Sequence, residues 1–203
     1  MKLFSLFFVA FIALGLFFPT NAFACACCAE DGAYSISAKK PEKLELDELR
    51  KIRFANANLF MTAGEDNILG INPIGESYSL NGLLQSNAWK FNFKDDKGKI
   101  GALNLMFPTS MVSYMADIHD GKQGGGGGPL LYKEWRFKSK VQSGTGIFQK
   151  GFAPATEYFL VLQGRGNNCT QAEDFTNWRL EITGKKSNYA FYGALSSGKT
   201  AAN

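Results

Sequence analysis

The sequence predicts an all-β protein, most simply a single antiparallel β-barrel. Three observations point that way. Apolar and polar residues alternate with period two along most of the chain after residue 43. The alternating runs, roughly nine or ten of them, are short and bounded by Gly, Asn and Pro. The 203 residues are 45% hydrophobic and 14% aromatic, with 20% charged and a net charge of +4. That composition supplies a core and carries too little charge for disorder. The 22 glycines have no triplet period and no long heptad run is present, so collagen-like and coiled-coil chains are excluded.

Residues 1–24 read as a signal peptide. Lys2 precedes an uncharged apolar run from Leu3 to Phe18, Pro19-Thr20-Asn21 breaks it, and Ala22-Phe23-Ala24 matches an A-x-A cleavage site. The run is shorter than the roughly 20 residues of a membrane-spanning helix. No second stretch is long enough, so no transmembrane segment is expected after cleavage. The expected location is periplasmic or extracellular. Cleavage would leave Cys25 first, which raises lipid attachment there as an alternative. The bulky Phe23 and the polar Pro19-Thr20-Asn21 segment weigh against it.

Residues 25–43 form a polar, cysteine-rich leader, and 44–203 a single all-β domain. Pro41–Arg53 is ambiguous: Leu46, Leu49 and Ile52 share a helical face, while Leu44 and Leu46 alternate as in a strand. Ile52 and Phe54 then alternate with polar neighbours. Tyr78, Leu80, Gly82 and Leu84 share a face, as do Trp89, Phe91 and Phe93. The charged turn Lys94–Lys99 joins that strand to Ile100–Phe107 as a hairpin. Val112–Ile118 is a weaker strand. Leu131, Lys133, Trp135 and Phe137 oppose Leu130, Tyr132, Glu134 and Arg136. Gly144–Gln149, Glu157–Leu162, Trp178–Thr183 and Tyr189–Ala194 complete the strands. A short helix is expected in Thr170–Asn177, with Thr170 as N-cap and Glu173 closing a capping box. Consecutive short strands of this kind suit a lipocalin-like up-and-down barrel or a relative of it, with a β-sandwich as the alternative. The tract Gly124–Gly128 reads as a floppy inter-strand loop, or as a mobile lid over a barrel mouth.

The cysteines fall in two places, Cys25, Cys27 and Cys28 in the leader and Cys169 far downstream. In an oxidising compartment a leader cysteine is expected to bond to Cys169; which of the three is left open. The alternative is a soft metal, copper or zinc, on the Cys-x-Cys-Cys thiolates, a spacing that lacks the paired C-x2-C of structural zinc sites. No other cofactor is expected.

Few residues carry reactive chemistry. The chain has one histidine, His119, followed by an Asp-Gly turn, and no G-x-S-x-G elbow to supply an activated serine. An enzyme is therefore the least favoured class. Gly193–Thr200 matches the phosphate-loop pattern, but three residues follow it, too few for the helix that chemistry needs. Asn168-Cys169-Thr170 matches a glycosylation acceptor that would compete with a disulfide. Glu173 and Asp174 are adjacent and project apart, which suits them poorly to acid/base work. Lys133, Arg136, Lys138 and Lys140 accompany Trp135 and Phe137, as in single-strand binders. Export argues against nucleic acid, and these residues read as a solvated outer face.

The segment Gln163–Cys169 groups two glycines, two amides and a guanidinium, which suits an anion or polar ligand. The candidate ligand-binding residues are therefore Arg165, Asn167, Asn168, Trp135, Trp178 and His119. The leading expectation is a non-catalytic binding protein for a small apolar or amphipathic ligand in an aromatic-lined barrel. A thiol-based metal or redox protein and an interaction module of the cell envelope are the alternatives. The oligomeric state is open.

Overall fold

A computed structural model of the protein describes residues 27–60 and 68–197. The expected signal 1–24, Cys25 and the last three residues of the phosphate-loop match lie outside them. Among the described residues there are ten strands and one α-helix: β1 (Tyr34–Lys39), α1 (Lys43–Lys51), β2 (Ile52–Leu59), β3 (Ser77–Gln85), β4 (Ala88–Asp95), β5 (Ile100–Met106), β6 (Met111–Ala116), β7 (Leu131–Gly146), β8 (Glu157–Gly166), β9 (Phe175–Gly184) and β10 (Ser187–Ser197). All pairings between these strands are antiparallel. β2-β3-β4-β5-β7-β8-β9-β10 run around a closed eight-stranded barrel, with β10 pairing back onto β2 and β7 onto β8. The expected single antiparallel barrel is present, in up-and-down order.

β7 explains how ten strands fit an eight-stranded barrel. Its second half pairs with β5 from Val141 to Gly146. Its first half pairs instead with β6, from Tyr132 to Arg136, and β6 pairs with β1. The β1–β6 pair is thus a ribbon running out from the barrel wall. The segment Gly144–Gln149 is not a separate strand: Gly144–Gly146 extends β7, and 147–151 turns back.

The period-two pattern faces as the sequence implies. Trp89, Phe91 and Phe93 point inward with Phe54, Phe137, Trp178 and Phe191, all buried. Phe54 touches Trp89, Phe91 and Trp178, with ring centroids 5.8, 4.7 and 5.2 Å apart. These edge-to-face rings interlock across the barrel, so the interior is a packed core. The buried indole N–H groups of Trp89 and Trp178 have no hydrogen-bond partner, a cost the surrounding apolar burial offsets. Outward positions such as Asn81, Lys90, Asn92, Lys94 and Arg179 are polar and exposed. That is the inverse of a lipid-facing barrel. No helix among the described residues is long and apolar enough to cross a membrane.

Both ends are closed. Phe148 plugs one, 4.9 Å from Phe93 and 5.8 Å from Tyr189. At the other, α1 resolves the ambiguity of Pro41–Arg53 in favour of a helix. The Glu45 carboxylate accepts the Glu42 N–H at 2.7 Å, which anchors its first turn, and Leu49 is fully buried. The helix expected near Thr170 shrinks to a 3-10 turn over Ala172–Asp174. The Glu48 carboxylate accepts the Ala172 N–H at 2.8 Å, tying that turn to α1. Thr170 is not its cap; the capping position is Gln171.

Candidate functional site

The helix-capped end of the barrel also collects the leader, the 117–130 segment and the loop after β8. Cys27 is bonded to Cys169 across 142 positions of sequence, which selects one of the three leader cysteines. The link is reinforced by the Asn168 N–H, which donates to Cys27 O at 3.1 Å. The Cys169 N–H donates to Asn167 Oδ1 at 2.8 Å. No free cysteine occurs among the described residues.

The glycine tract belongs to this knot. Gly124 N–H donates to Gly128 O at 2.8 Å, and Leu130 N–H to Lys122 O at 2.9 Å. The tract is therefore the tip of a tight hairpin, not a floppy loop. Cys28 Sγ lies 3.3 Å from Gly126 O. A Cβ on Gly128 would lie 2.5 Å from Ala29 O, so only glycine lets the leader pass this closely.

Asp117 anchors the leader from the other side. Its carboxylate accepts the Gly32 N–H at 2.9 Å and the His119 N–H at 2.8 Å. Those two donors hold the carboxyl below its ordinary value. His119 follows with a φ of +54°, a left-handed conformation uncommon outside Gly but more open to His, Asn and Asp than to other residues. The ring Nδ1 then lies 3.2 Å from Asp117 O, and the side chain is 71% exposed.

Arg165 behaves differently from the expectation. Its guanidinium donates to both oxygens of Asp120, at 2.5 and 3.0 Å, and to Leu130 O at 2.8 Å. Its Nε is buried. The pairing pushes the Asp120 carboxyl far below the usual range and the guanidinium upward. Arg165 is thus an internal clamp on the hairpin, with both terminal nitrogens engaged inside the protein.

The segment Gln163–Gly166 is strand, the last residues of β8, not loop. Its glycines make room for Asp174. A Cβ on Gly164 would lie 1.7 Å from Asp174 O, and one on Gly166 2.1 Å from Asp174 Cγ. The Asp174 carboxylate instead meets Lys133 Nζ at 2.6 Å, and the same ammonium donates to Cys169 O. Lys133 is 3% exposed on its side chain. It is therefore not part of a solvated outer face, because its parity places it inward beside Trp135. Burial raises the Asp174 carboxyl, and Lys133 only partly opposes this.

Trp135 and Trp178 are core residues, 3% and 1% exposed. Trp135 stacks 4.4 Å from Phe175. Neither reaches a solvent-open cleft. On the outer face, Glu134 accepts hydrogen bonds from Tyr132, Gln163 and Arg136. Burial alone would raise this carboxyl, but the three donors together hold it below its ordinary value.

Two open clefts flank the leader. One, about 410 Å³, lies between the leader and the hairpin and is lined by Asp31, Asp117, His119, Lys122 and Gln123. The other, about 430 Å³, lies on the leader's far side and is lined by Glu30, Asp31, Met115, Leu131 and Asn168. A larger groove of about 620 Å³ crosses the outer wall of β3, β4, β5 and β7. It contains none of the expected site residues. The clefts at the leader hold three carboxylates, an ammonium, an imidazole, the Tyr34 and Ser35 hydroxyls and several glycine amides. Among the described residues, no group of three or more His, Cys, Asp or Glu side chains is placed to hold a metal ion.

Of the expected residues, His119, Asn167, Asn168 and Arg165 gather at this end, the first three at the clefts or beside them. Asp31, Asp117 and Lys122 were missed. The signal for Asp117 was present, since Asp two residues before His119 is an Asx-turn pattern. Asp31 had none, because only the disulfide brings the leader here. Searches of protein-family models, of curated proteins and of solved structures found no match to this chain.

Proposed function

We propose that this is an exported, non-catalytic binding protein whose sealed barrel is a scaffold. Its ligand is small and polar and is taken in the cleft between the leader and the 117–130 hairpin. The carrying observation is the division of the molecule. Aromatic rings fill the barrel interior. His119, Lys122, Gln123, Asp31 and Asp117 line an open cleft at the one end where leader and loops are bonded together. Export is supported by the 1–24 signal pattern and by the Cys27–Cys169 bond, which suits an oxidising compartment. Binding fits better than catalysis because the cleft offers hydrogen-bonding and charged groups without an activated nucleophile.

The test is a thermal-shift screen of small polar and charged compounds on protein purified from the exported fraction. Compounds that raise the melting temperature should lose their effect in Lys122→Ala and keep it in Asn92→Ala, a change in the outer groove. Stabilisation that survives Lys122→Ala, or a screen that yields no stabilising compound, sinks the reading.

A further inference from the structure

β1 is the one strand among the described residues with a single neighbour in the sheet. All six of its residues are exposed, so neither its faces nor its outer edge is covered. Tyr34 is 66% and Ile36 55% exposed. The usual protections of an edge are missing: β1 has no proline, no bulge in its register with β6, and a single charge at its very end, Lys39.

The backbone of this edge is ordered for pairing. The Asp117 N–H donates to Ala33 O at 2.8 Å, so the Ala33 carbonyl faces β6. Antiparallel alternation then turns the peptide groups of Ser35, Ser37 and Lys39 toward β6, and those of Tyr34, Ile36 and Ala38 outward.

We propose that this edge pairs with the same edge of a second copy, forming a closed two-fold dimer with Ile36 opposite Ile36. The register follows from the alternation. It sets Tyr34 opposite Ala38 in both directions, so every outward N–H and C=O from Tyr34 to Ala38 meets a partner. It also keeps Tyr34, Ile36 and Ala38 of both copies on one face, continuous with Tyr114, whose ring lies 5.6 Å from that of Tyr34. A slip by one residue would set outward-facing peptide groups against inward-facing ones. Charge agrees with the same register. Lys40 of one copy falls opposite Gly32 of the other, beside Asp31 and Glu30, all of them exposed. With no second edge among the described residues, the contact is isologous and stops at two chains. A six-residue ladder is well below the standard interface of about 1,600 Å², so association is concentration-dependent. This inference is independent of the cleft and its ligand.

Sedimentation equilibrium of the mature protein over a wide concentration range tests it. The mass should rise from one chain to two and go no further. Ile36→Lys and Ile36→Glu should each lose the dimer, because position 36 meets its own copy and like charges directly opposite repel. Both side chains face water in the monomer, so circular dichroism should be unchanged. An equimolar mixture of the two variants should recover a dimer containing one of each, which misfolded variants could not do. A wild type that stays monomeric throughout, a mass beyond two chains, a dimer that survives Ile36→Lys, or a mixture that stays monomeric would each overturn the proposal.

Discussion

The barrel body and the leader end are built on different physics. In the body, Phe54, Phe91, Phe93 and Phe191 interlock in a continuous apolar core, and stability is spread over many small contacts. The leader end is held by a few discrete links: the Cys27–Cys169 bond, the Arg165–Asp120 pair, the two amides on Asp117 and the Lys133–Asp174 pair. A packed body resists any one perturbation. A stitched end can be released stitch by stitch, and binding segments are generally drawn from such regions. The open clefts at the leader sit among the stitches.

The largest expected effect breaks the body. Phe91→Ala removes a fully buried ring that contacts Phe54, Phe93 and Trp178. It should cost about 3–5 kcal/mol in urea denaturation. A loss under about 1 kcal/mol would mean the rings are loosely packed.

Next comes the junction of the two regions. Lys133→Met leaves the Asp174 carboxylate buried without its cation and should cost about 3–4 kcal/mol at neutral pH. The loss should depend on pH. Burial already lifts the folded carboxyl above 3.8, and removing Lys133 lifts it further. A carboxyl raised on folding holds a proton that the unfolded chain releases, so stability falls as pH rises through that window. The variant should therefore lose more stability than wild type between about pH 4 and pH 7. Parallel curves would show that Lys133 does not compensate Asp174.

Cys169→Ser should cost about 2–4 kcal/mol, because the bond closes a long loop. Hydrogen exchange should localise the change: amides in 27–33 and 122–130 should lose protection while those of β4 and β9 keep it. Uniform loss would mean that the end and the body unfold together.

The smallest effect is acid loosening. Gly32 and His119 amides hold Asp117, and Arg165 holds Asp120, below the ordinary 3.8. Carboxyls lowered on folding contribute stability that is complete above that value and fades as pH falls through the folded ones. Acidification below about pH 3 should speed amide exchange in 117–122 before any change in β4. In Asp120→Asn the Arg165 contribution should be gone at every pH.

Much of the body was legible in the sequence, because an inward face repeated every second residue leaves a strong signal. Trp89-Lys90-Phe91-Asn92-Phe93 gives both the strand and its core face. The leader end was legible in parts. β1 was missed because Tyr34–Lys39 is exposed on both sides, so its pattern is not tied to a buried face. Gln163–Gly166 was misread because glycine signals a turn locally, whereas here it yields space to Asp174. Lys133 was placed outside because charge outweighed parity.

By itself the sequence determined most of the barrel strands, their apolar inward residues, the antiparallel all-β class and a covalent tie from the leader to Cys169. Each rests on local periodicity or on a residue type with few partners. Only the tertiary structure decided that the barrel is filled and that Cys27 makes the tie. It also decided that Arg165 pairs with Asp120, that Asp31 joins His119 and Lys122 at one cleft, and that β1 is left with an open edge. Those outcomes depend on enclosed volume and on contacts between segments far apart in sequence, and neither leaves a trace in a short window of residues.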